Sequence, residues 1–539
     1  MDVKHGLIFD RKAWAWILPI AAALFYIPFI GGVHLFDWDE INFAEISREM
    51  IRTHDYLTVQ VNYQPFFEKP PLFMWMQVAC MKVFGVNEFA ARLPNAIAGI
   101  FISILLFQLG RHWKDRRFGI LWSLSYMGSV LPALYHKSGI IDPWFNLFIF
   151  SSLASWYEGS QQKSSASGWY WLSGLLSGLA IMTKGPVGPL LIGITVLAIR
   201  IFSRNGRYLR FPSILIFIIG NIFVAGIWFG LNWINNGPDF ILAFLKYQYE
   251  LLTQSVAGHK GFPGYHIVVT LFGVFPASVF ALGAFRKKQQ GEIQSQYDLR
   301  AMMILLLGIV LILFSIVQSK IVHYSSMSYF PVSFLSAWFL SNAMDKKVKW
   351  SAWHGALLIV ITTLILIAIW VVPWVGLHIQ DMKSYFSLDN FTRIALDTPV
   401  KWDLWDYTPF AILILIFTIA ILFWRNAEYE RSWATIFFGM PLFVNIALIF
   451  FIGKIETYTQ RAAVEFCQSK AGKHIDISTI GYKSYLPYFY ADKPAPVKDH
   501  SRIMVDRFHI LRADKINRLE EHTDWKVVGE KNGYIFLEE

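Results

Sequence analysis

Long apolar runs separated by shorter polar connections dominate the chain, and runs of about 20 residues with few or no charges predict membrane-spanning helices. They fall at 14–34, 91–110, 117–135, 142–158, 169–183, 185–202, 211–234, 264–285, 301–318, 327–342, 352–376, 407–424 and 433–452. The pattern predicts an all-α polytopic membrane protein of about thirteen transmembrane helices. Four segments are too long for simple turns: about 35–90, 235–263, 377–406 and the tail from 453. Loops longer than about 15 residues usually carry function or structure of their own. Phe43, Ile46 and Met50 in the first loop follow helical spacing, with Glu45, Arg48, Glu49 and Arg52 on other faces. That spacing predicts a short amphipathic helix in the headgroup plane. PPLFMWMQVACMKVFG, opened by Pro70 and Pro71, predicts a second interfacial helix. In the tail, TYTQRAAVEFCQSKA and ADKINRLEEH read as helices, and HIDISTIGY, WKVVGE and YIFLEE as strands. The expected organisation is a membrane domain, 1–452, followed by a small soluble α/β domain, 453–539, outside the membrane.

Composition agrees with that class. The 539 residues are 55% hydrophobic and only 16% charged, against about 25% charged in an average soluble protein. Lys4, Arg11 and Lys12 precede the first run, and Arg111, Lys114, Arg116 and Arg117 follow the second. Further basic groups stand at Arg200, Arg204, Arg207 and Arg210, at Arg286 to Lys288, at Lys346, Lys347 and Lys349, and at Arg425 and Arg431. Thirteen spans put all of them on one side, which predicts a cytoplasmic N-terminus and a C-terminal domain outside. The net charge of +10 is then topological, and no nucleic-acid partner is expected. Cys80 and Cys467 are too few for a disulfide framework, and their pairing is left open. The first apolar run lacks a small-residue cleavage site and reads as a retained anchor. The Ser-rich stretch 160–168 reads as a linker.

Candidate chemistry gathers on the outer side. FDWDEINFAEISREM holds five carboxylates just after the first span. Asp37, three residues before Glu40, fits an N-cap with its capping box. Asp39 has no such explanation. Glu68 and Lys69 open the next helix. Asp142 ends HKSGIID at the start of the fourth span, where an unpaired ionised group is costly, though a cap ahead of Pro143 also fits. His136 and Lys137 are near it in sequence. Lys184 lies in MTKGPVGP, and Lys320, His323 and Tyr324 lie in QSKIVHYSSM. A single lysine at a span end most often snorkels to the headgroups. Several beside two or three acids form a site that activates a nucleophile and holds a phosphate.

The pieces DEINFAEISREM, FEKPPLFMWMQ, ARLPNAI, SGIIDPWF, TKGPVGP and SKIVHYSSMSYFP, in this order, resemble the membrane glycosyltransferases of the dolichyl-phosphate-mannose protein mannosyltransferase superfamily, of GT-C architecture. They are most similar to the branch holding the lipid A aminoarabinose transferase. The resemblance implies catalytic roles for Asp39 and Asp142, and phosphate binding by Lys69, Lys184, Lys320, His323 and Tyr324. It also implies a divalent metal site at Glu68, and no other cofactor. At Asn42 and Phe43 the chain departs from the Arg-Tyr usual in the aminoarabinose enzymes, so the resemblance fixes neither sugar nor acceptor.

Nucleotide sugars are not available outside the cytoplasmic membrane, so an activated sugar must arrive on a lipid. The expected activity is inverting transfer of one sugar from a polyprenyl (undecaprenyl) phosphate to an extracytoplasmic acceptor such as lipid A, an envelope glycan or a protein. The expected location is a bacterial inner membrane. A transporter or flippase is the alternative from another class; it predicts internal repeats and mid-bilayer charge, and neither is visible here. An adaptor whose outer domain does the binding leaves the acidic first loop unexplained. A ligase using a lipid-diphosphate glycan is the nearer rival, told apart by the carrier it releases.

Overall fold

Residues 9, 12–162, 166–203, 206–253, 261–285, 293–345, 350–472, 475–495, 506–521 and 524–539 are described by the computed structural model. Every apolar run of the sequence contains helix. The helices of the first half are α1 (Trp14–Tyr26), α2 (Asp39–Thr53), α3 (Leu72–Phe84), α4 (Glu88–Trp113), α5 (Arg116–Met127), α6 (Val130–Tyr135), α7 (Asp142–Gln161), α8 (Ser167–Lys184), α9 (Val187–Ser203) and α10 (Phe211–Asn236). Then come α11 (Asp239–Thr253), α12 (Tyr265–Gly273), α13 (Ala277–Leu282), α14 (Gln294–Ile316), α15 (Tyr329–Met344) and α16 (Ala352–Leu377). Two short helices, α17 (Ile379–Met382) and α18 (Asn390–Ala395), precede α19 (Thr408–Arg425), α20 (Tyr429–Thr459), α21 (Arg461–Lys470) and α22 (Leu486–Tyr490).

Among the described residues, six helical segments are long and apolar enough to cross a membrane unaided; they contain α4, α10, α14, α16, α19 and α20. The others are shorter, interrupted or more polar, for visible reasons. The run 14–34 is helical only to Tyr26, since Pro28 and the Gly31–Gly32 pair follow. Gly128 and Ser129 separate α5 from α6, and Pro276 separates α12 from α13. The helices α7 and α15 are buried along almost their whole length, so serines replace lipid-facing residues there. Ser152 bonds Ser173, and Ser125 bonds Ser336, between helices. Gly174 lets α8 meet α10, because a Cβ there would strike the Phe217 carbonyl. By contrast α10 and α16 leave long apolar faces open, as lipid-facing helices do. The basic groups at Lys4, Arg11, Arg204, Arg286 to Lys288, Lys346, Lys347 and Lys349 lie outside the described residues.

The tail holds a four-stranded sheet of β3 (Ile475–Ile480), β4 (Asp506–Arg512), β5 (Lys526–Lys531) and β6 (Tyr534–Glu538); β1 (Gln60–Val61) and β2 (Gln64–Pro65) form a hairpin in the first loop. The order is β3-β4-β6-β5, with only the β3–β4 pair parallel. Three differences from the sequence reading follow. DRFHILR is a strand although its basic residues hid the alternation of Phe508 and Ile510. Ala513–Glu521 is a 3-10 segment kinked at Lys515, not an α-helix. The amphipathic helix of the first loop does not float half-open in the headgroups: its residues Glu40 to Met50 are all buried. One apolar core joins Ile41, Phe43 and Ile46 of α2 to Val464, Cys467, Ile477 and Phe489 of the tail. Cys80 and Cys467 are both free thiols.

Burying α2 on all sides creates a charged seam. Arg48 Nε and Nη2 each donate to Glu45 at 2.7 Å, and Nη1 donates to Asp492 of the tail at 3.0 Å. One turn on, Glu49 Oε2 accepts the Tyr63 N–H at 2.9 Å, while Oε1 is buried without a partner. Burial first, then the charge of Glu45, pushes the Glu49 carboxyl up to about 8. The folded protein thus holds a proton that the unfolded chain releases in the ordinary carboxylate range, and Glu49 lowers stability progressively as pH rises from that range through about 8. Glu49→Gln is expected to melt higher than the unaltered protein at about pH 8.5, with the gain shrinking toward about pH 5. Thermal unfolding in detergent across pH checks this; a difference independent of pH contradicts it.

Candidate active site

Six elements converge on a cavity of about 1180 Å³. Asp39 is the first residue of α2, Glu68 and Lys69 precede α3, and Asp142 is the first residue of α7. Lys184 is the last residue of α8, where Gly185 at φ +110° ends the helix in a conformation that side chains rarely adopt. His323 and Tyr324 stand on the 3-10 turn Val322–Ser328, and Tyr247 on α11. Acids lie at helix starts and a lysine at a helix end, as the helix dipoles favour.

The charges are arranged rather than pooled. Lys184 Nζ donates to Asp142 Oδ1 at 2.6 Å and lies 5.2 Å over the Tyr324 ring. His323 Nε2 sits between the two aspartates, 3.7 Å from Asp39 Oδ2 and 3.9 Å from Asp142 Oδ2. Burial lowers the His323 pKa, with the Asp142 charge working against that shift. The Asp39 side chain is 47% exposed and that of Asp142 only 4%, so Asp39 is the carboxylate free to meet a substrate. Lys69 lies 5.2 Å over the Tyr247 ring, and no carboxylate pairs with it among the described residues. Burial lowers its pKa, with the charge of Glu68 opposing. An ammonium so placed is suited to an incoming anion. Asn42, one turn along α2 from Asp39, lines the cavity with a buried Oδ1 that has no partner.

Two expectations, Lys320 and Asp37, need correction, and the metal at Glu68 gains no support. Lys320 does not reach the cavity: its Nζ donates to the carbonyls of Phe314, Ser315 and Val317, capping the end of α14, as a lysine near a helix C-terminus readily does. Asp37 is no helix cap, since Trp38 precedes α2 and Asp37 Oδ1 instead accepts the Tyr485 N–H of the tail at 3.3 Å. Glu68 Oε2 accepts from the Tyr247 hydroxyl at 2.9 Å, and no three His, Cys, Asp or Glu side chains cluster as a metal site among the described residues. A divalent ion at Glu68 therefore rests on the resemblance alone, and no step below runs through one.

The sequence reading missed the pair that fixes the site. Arg92 on α4 grips Glu40 through Nε at 2.9 Å and Nη2 at 2.8 Å, both side chains being buried. Its remaining donors bond the carbonyls of Ile30, Val33 and His34 at 2.8–2.9 Å. Glu40 also accepts the Gly139 N–H at 2.6 Å and the Phe36 N–H at 3.0 Å. The lone Arg in ARLPNAI, inside an apolar helix, was the signal. Lys483 and Arg461 of the tail also line the cavity and were not anticipated.

Residues 68–229 match the family described as dolichyl-phosphate-mannose-protein mannosyltransferase. A relative from Edwardsiella ictaluri, undecaprenyl phosphate-alpha-4-amino-4-deoxy-L-arabinose arabinosyl transferase, is 27% identical over 453 residues, 81% of this chain and 77% of its own. One of the same name from Serratia proteamaculans is 28% identical over 79% of this chain and 74% of its own. The crystal structure of ArnT from Cupriavidus metallidurans bound to undecaprenyl phosphate superposes with a TM-score of 0.76, covering 98% of both chains at 19% identity. The chain is thus similar to the mannosyltransferase family over residues 68–229 and to aminoarabinose transferases over most of its length. It is a multi-pass membrane protein with the GT-C fold.

The Glu40–Arg92 pair sets a stability test. Arg92→Met leaves Glu40 buried without its counter-charge and is expected to cost about 3–5 kcal/mol. Glu40→Gln combined with Arg92→Met should recover part of that loss in thermal unfolding; a double variant no better than the single contradicts the pairing.

Proposed function

We propose that this protein transfers one sugar from a polyprenyl phosphate, of the undecaprenyl type, to an acceptor hydroxyl on the outer face of a bacterial cytoplasmic membrane, with inversion at the anomeric carbon. The observation that carries the reading is the open Asp39 carboxylate beside an unpaired Lys69 in one cavity walled by apolar helices. The relatives' names and their undecaprenyl phosphate complex support the same donor.

The residues divide the chemistry. The acceptor oxygen attacks the anomeric carbon while Asp39 takes its proton, the work of a general base. The bond from that carbon to the phosphate oxygen breaks, and the electron pair stays on the phosphate. The leaving phosphate needs no proton if a cation holds it, and Lys69 is a cavity ammonium near Asp39 with no carboxylate paired to it among the described residues. Asp142 is already engaged by Lys184 and, with His323, forms a chain that fixes the charge on the far side of Asp39. Tyr324 stacks against Lys184 and holds it in that chain. The orphan carbonyl of Asn42 is placed to accept from a sugar hydroxyl, since a buried polar atom is rarely left without a partner. Lipid A, another envelope glycan or a protein remain the acceptors to be compared, and the N-terminus is assigned to the cytoplasm from the Lys and Arg distribution.

Purified protein incubated with a panel of polyprenyl-phosphate sugars and candidate acceptors should release the carrier monophosphate, read by mass spectrometry; release of a diphosphate carrier, or of none, contradicts the reading. Asp39→Asn is expected to lower transfer by about 10²- to 10⁴-fold with its melting temperature preserved. Full activity in that variant removes Asp39 as base. Lys69→Ala should weaken undecaprenyl phosphate roughly tenfold or more, the scale of a lost charge-assisted bond. Lys320→Ala should leave that affinity unchanged and lower only the melting temperature. Equal effects of the two lysines on binding would return Lys320 to the site.

A further inference from the structure

The tail contributes a second ammonium to the cavity. Lys483, on the turn between β3 and α22, is exposed, lines the cavity and has no carboxylate partner among the described residues. Two rings hold it instead: its Nζ lies 5.2 Å over Trp38 and 5.1 Å over Tyr485, and those rings meet edge to face. Aromatic faces orient a cation without neutralising it. The nearby Asp37 carboxylate feels this charge but makes no ion pair with it, accepting instead from the Tyr485 N–H and bonding the Ser484 side chain.

Its position tells which substrate it serves. Trp38 is the residue before Asp39, and the strip from Leu35 to Trp38 is pinned to the tail. Leu35 N–H donates to the Tyr490 hydroxyl at 2.6 Å, and Gln460 Nε2 donates to the Leu35 carbonyl at 2.7 Å. An acceptor whose hydroxyl reaches Asp39 therefore passes the turn that carries Lys483. Glu68 acts on both lysines, but their other neighbours differ: Lys184, Asp39 and Asp142 act on Lys69, and Tyr485 and Tyr488 on Lys483. The two ammoniums therefore stand in different parts of one cavity.

We infer that Lys483, aimed by Trp38 and Tyr485, is the acceptor-selecting residue of this enzyme and takes an anionic group, phosphate or carboxylate, carried by a saccharide acceptor. This rests on the transferase reading above. The tail thereby gains a part in recognition, with the turn Gly481–Leu486 forming one wall of the acceptor site.

The test uses the full chain in detergent with four probes: undecaprenyl phosphate, a disaccharide phosphate, a uronic-acid disaccharide and the neutral disaccharide. The unaltered protein is expected to bind at least one acidic saccharide about tenfold more tightly than the neutral one, and the stronger of the two names the anion. Lys483→Met should abolish that preference, Lys483→Arg should retain it, and both should bind undecaprenyl phosphate within about twofold of the unaltered protein. Trp38→Ala should weaken the preference without removing the charge. Equal or absent binding of all three saccharides overturns the inference, as does a loss of undecaprenyl phosphate affinity in Lys483→Met matching that in Lys69→Ala. Failure of the unaltered protein to bind undecaprenyl phosphate overturns the transferase reading instead, and leaves the saccharide comparison to decide this one.

Discussion

A single buried ion pair, Glu40 with Arg92, joins the pieces on which the site depends. Arg92 spends its donors on Glu40 and on three carbonyls of the strip between α1 and α2; Glu40 spends its acceptors on that strip and on Gly139, just ahead of Asp142. Both charges are desolvated, which is expensive, and the cost is tolerable only because almost every hydrogen-bonding position is filled. The outcome is geometric. Asp39, next to Glu40, and Asp142, three residues after Gly139, are set against each other by one guanidinium, and His323 fits between them.

Around that fixed point the cavity separates its charges by availability. Lys184 and Asp142 saturate each other, so neither is the group a substrate first meets. Asp39 and Lys69 are left incompletely paired, and Glu68 accepts from a phenol while making no ion pair among the described residues. A site made only of tight pairs would bind nothing charged; a site of bare charges at a membrane boundary would be costly to fold. Mixing the two gives a frame whose charges are mostly satisfied within the protein, with a few left available to a substrate.

How far this could be read from the letters depended on the length scale of the interaction. Helices came from runs of apolar residues, which burial in lipid or protein demands locally, and every run contains helix. Asp39, Lys69, Asp142, Lys184, His323 and Tyr324 could be nominated because charges at the ends of apolar runs need a reason to be there. Lys320 shows the limit of that rule: the same residue type at the same kind of place satisfied its own helix end. Nothing in the sequence paired Arg92 with Glu40, since 52 residues separate them and the contact exists only once α4 packs against the first loop. The strand Asp506–Arg512 was missed for a related reason, its exposed basic residues masking an alternation that only the sheet makes meaningful.

The tail illustrates how a domain boundary drawn from composition misses mechanical connection. Polar residues begin near 453, yet α20 runs unbroken to Thr459 and the helix after it packs its apolar side on α2. Arg48 bonds Asp492, Arg52 also pairs with Asp492, and Gln460 and Tyr490 hold the backbone leading to Asp39. The tail and the first loop therefore share one core, and either would lose its buried surface if the other were removed. The tail and Arg92 both fix the backbone next to Asp39, through partners more than 50 residues further along the chain. That arrangement also explains why the acidic stretch could not be understood as a free-standing helix: most of its charges answer partners contributed by other segments.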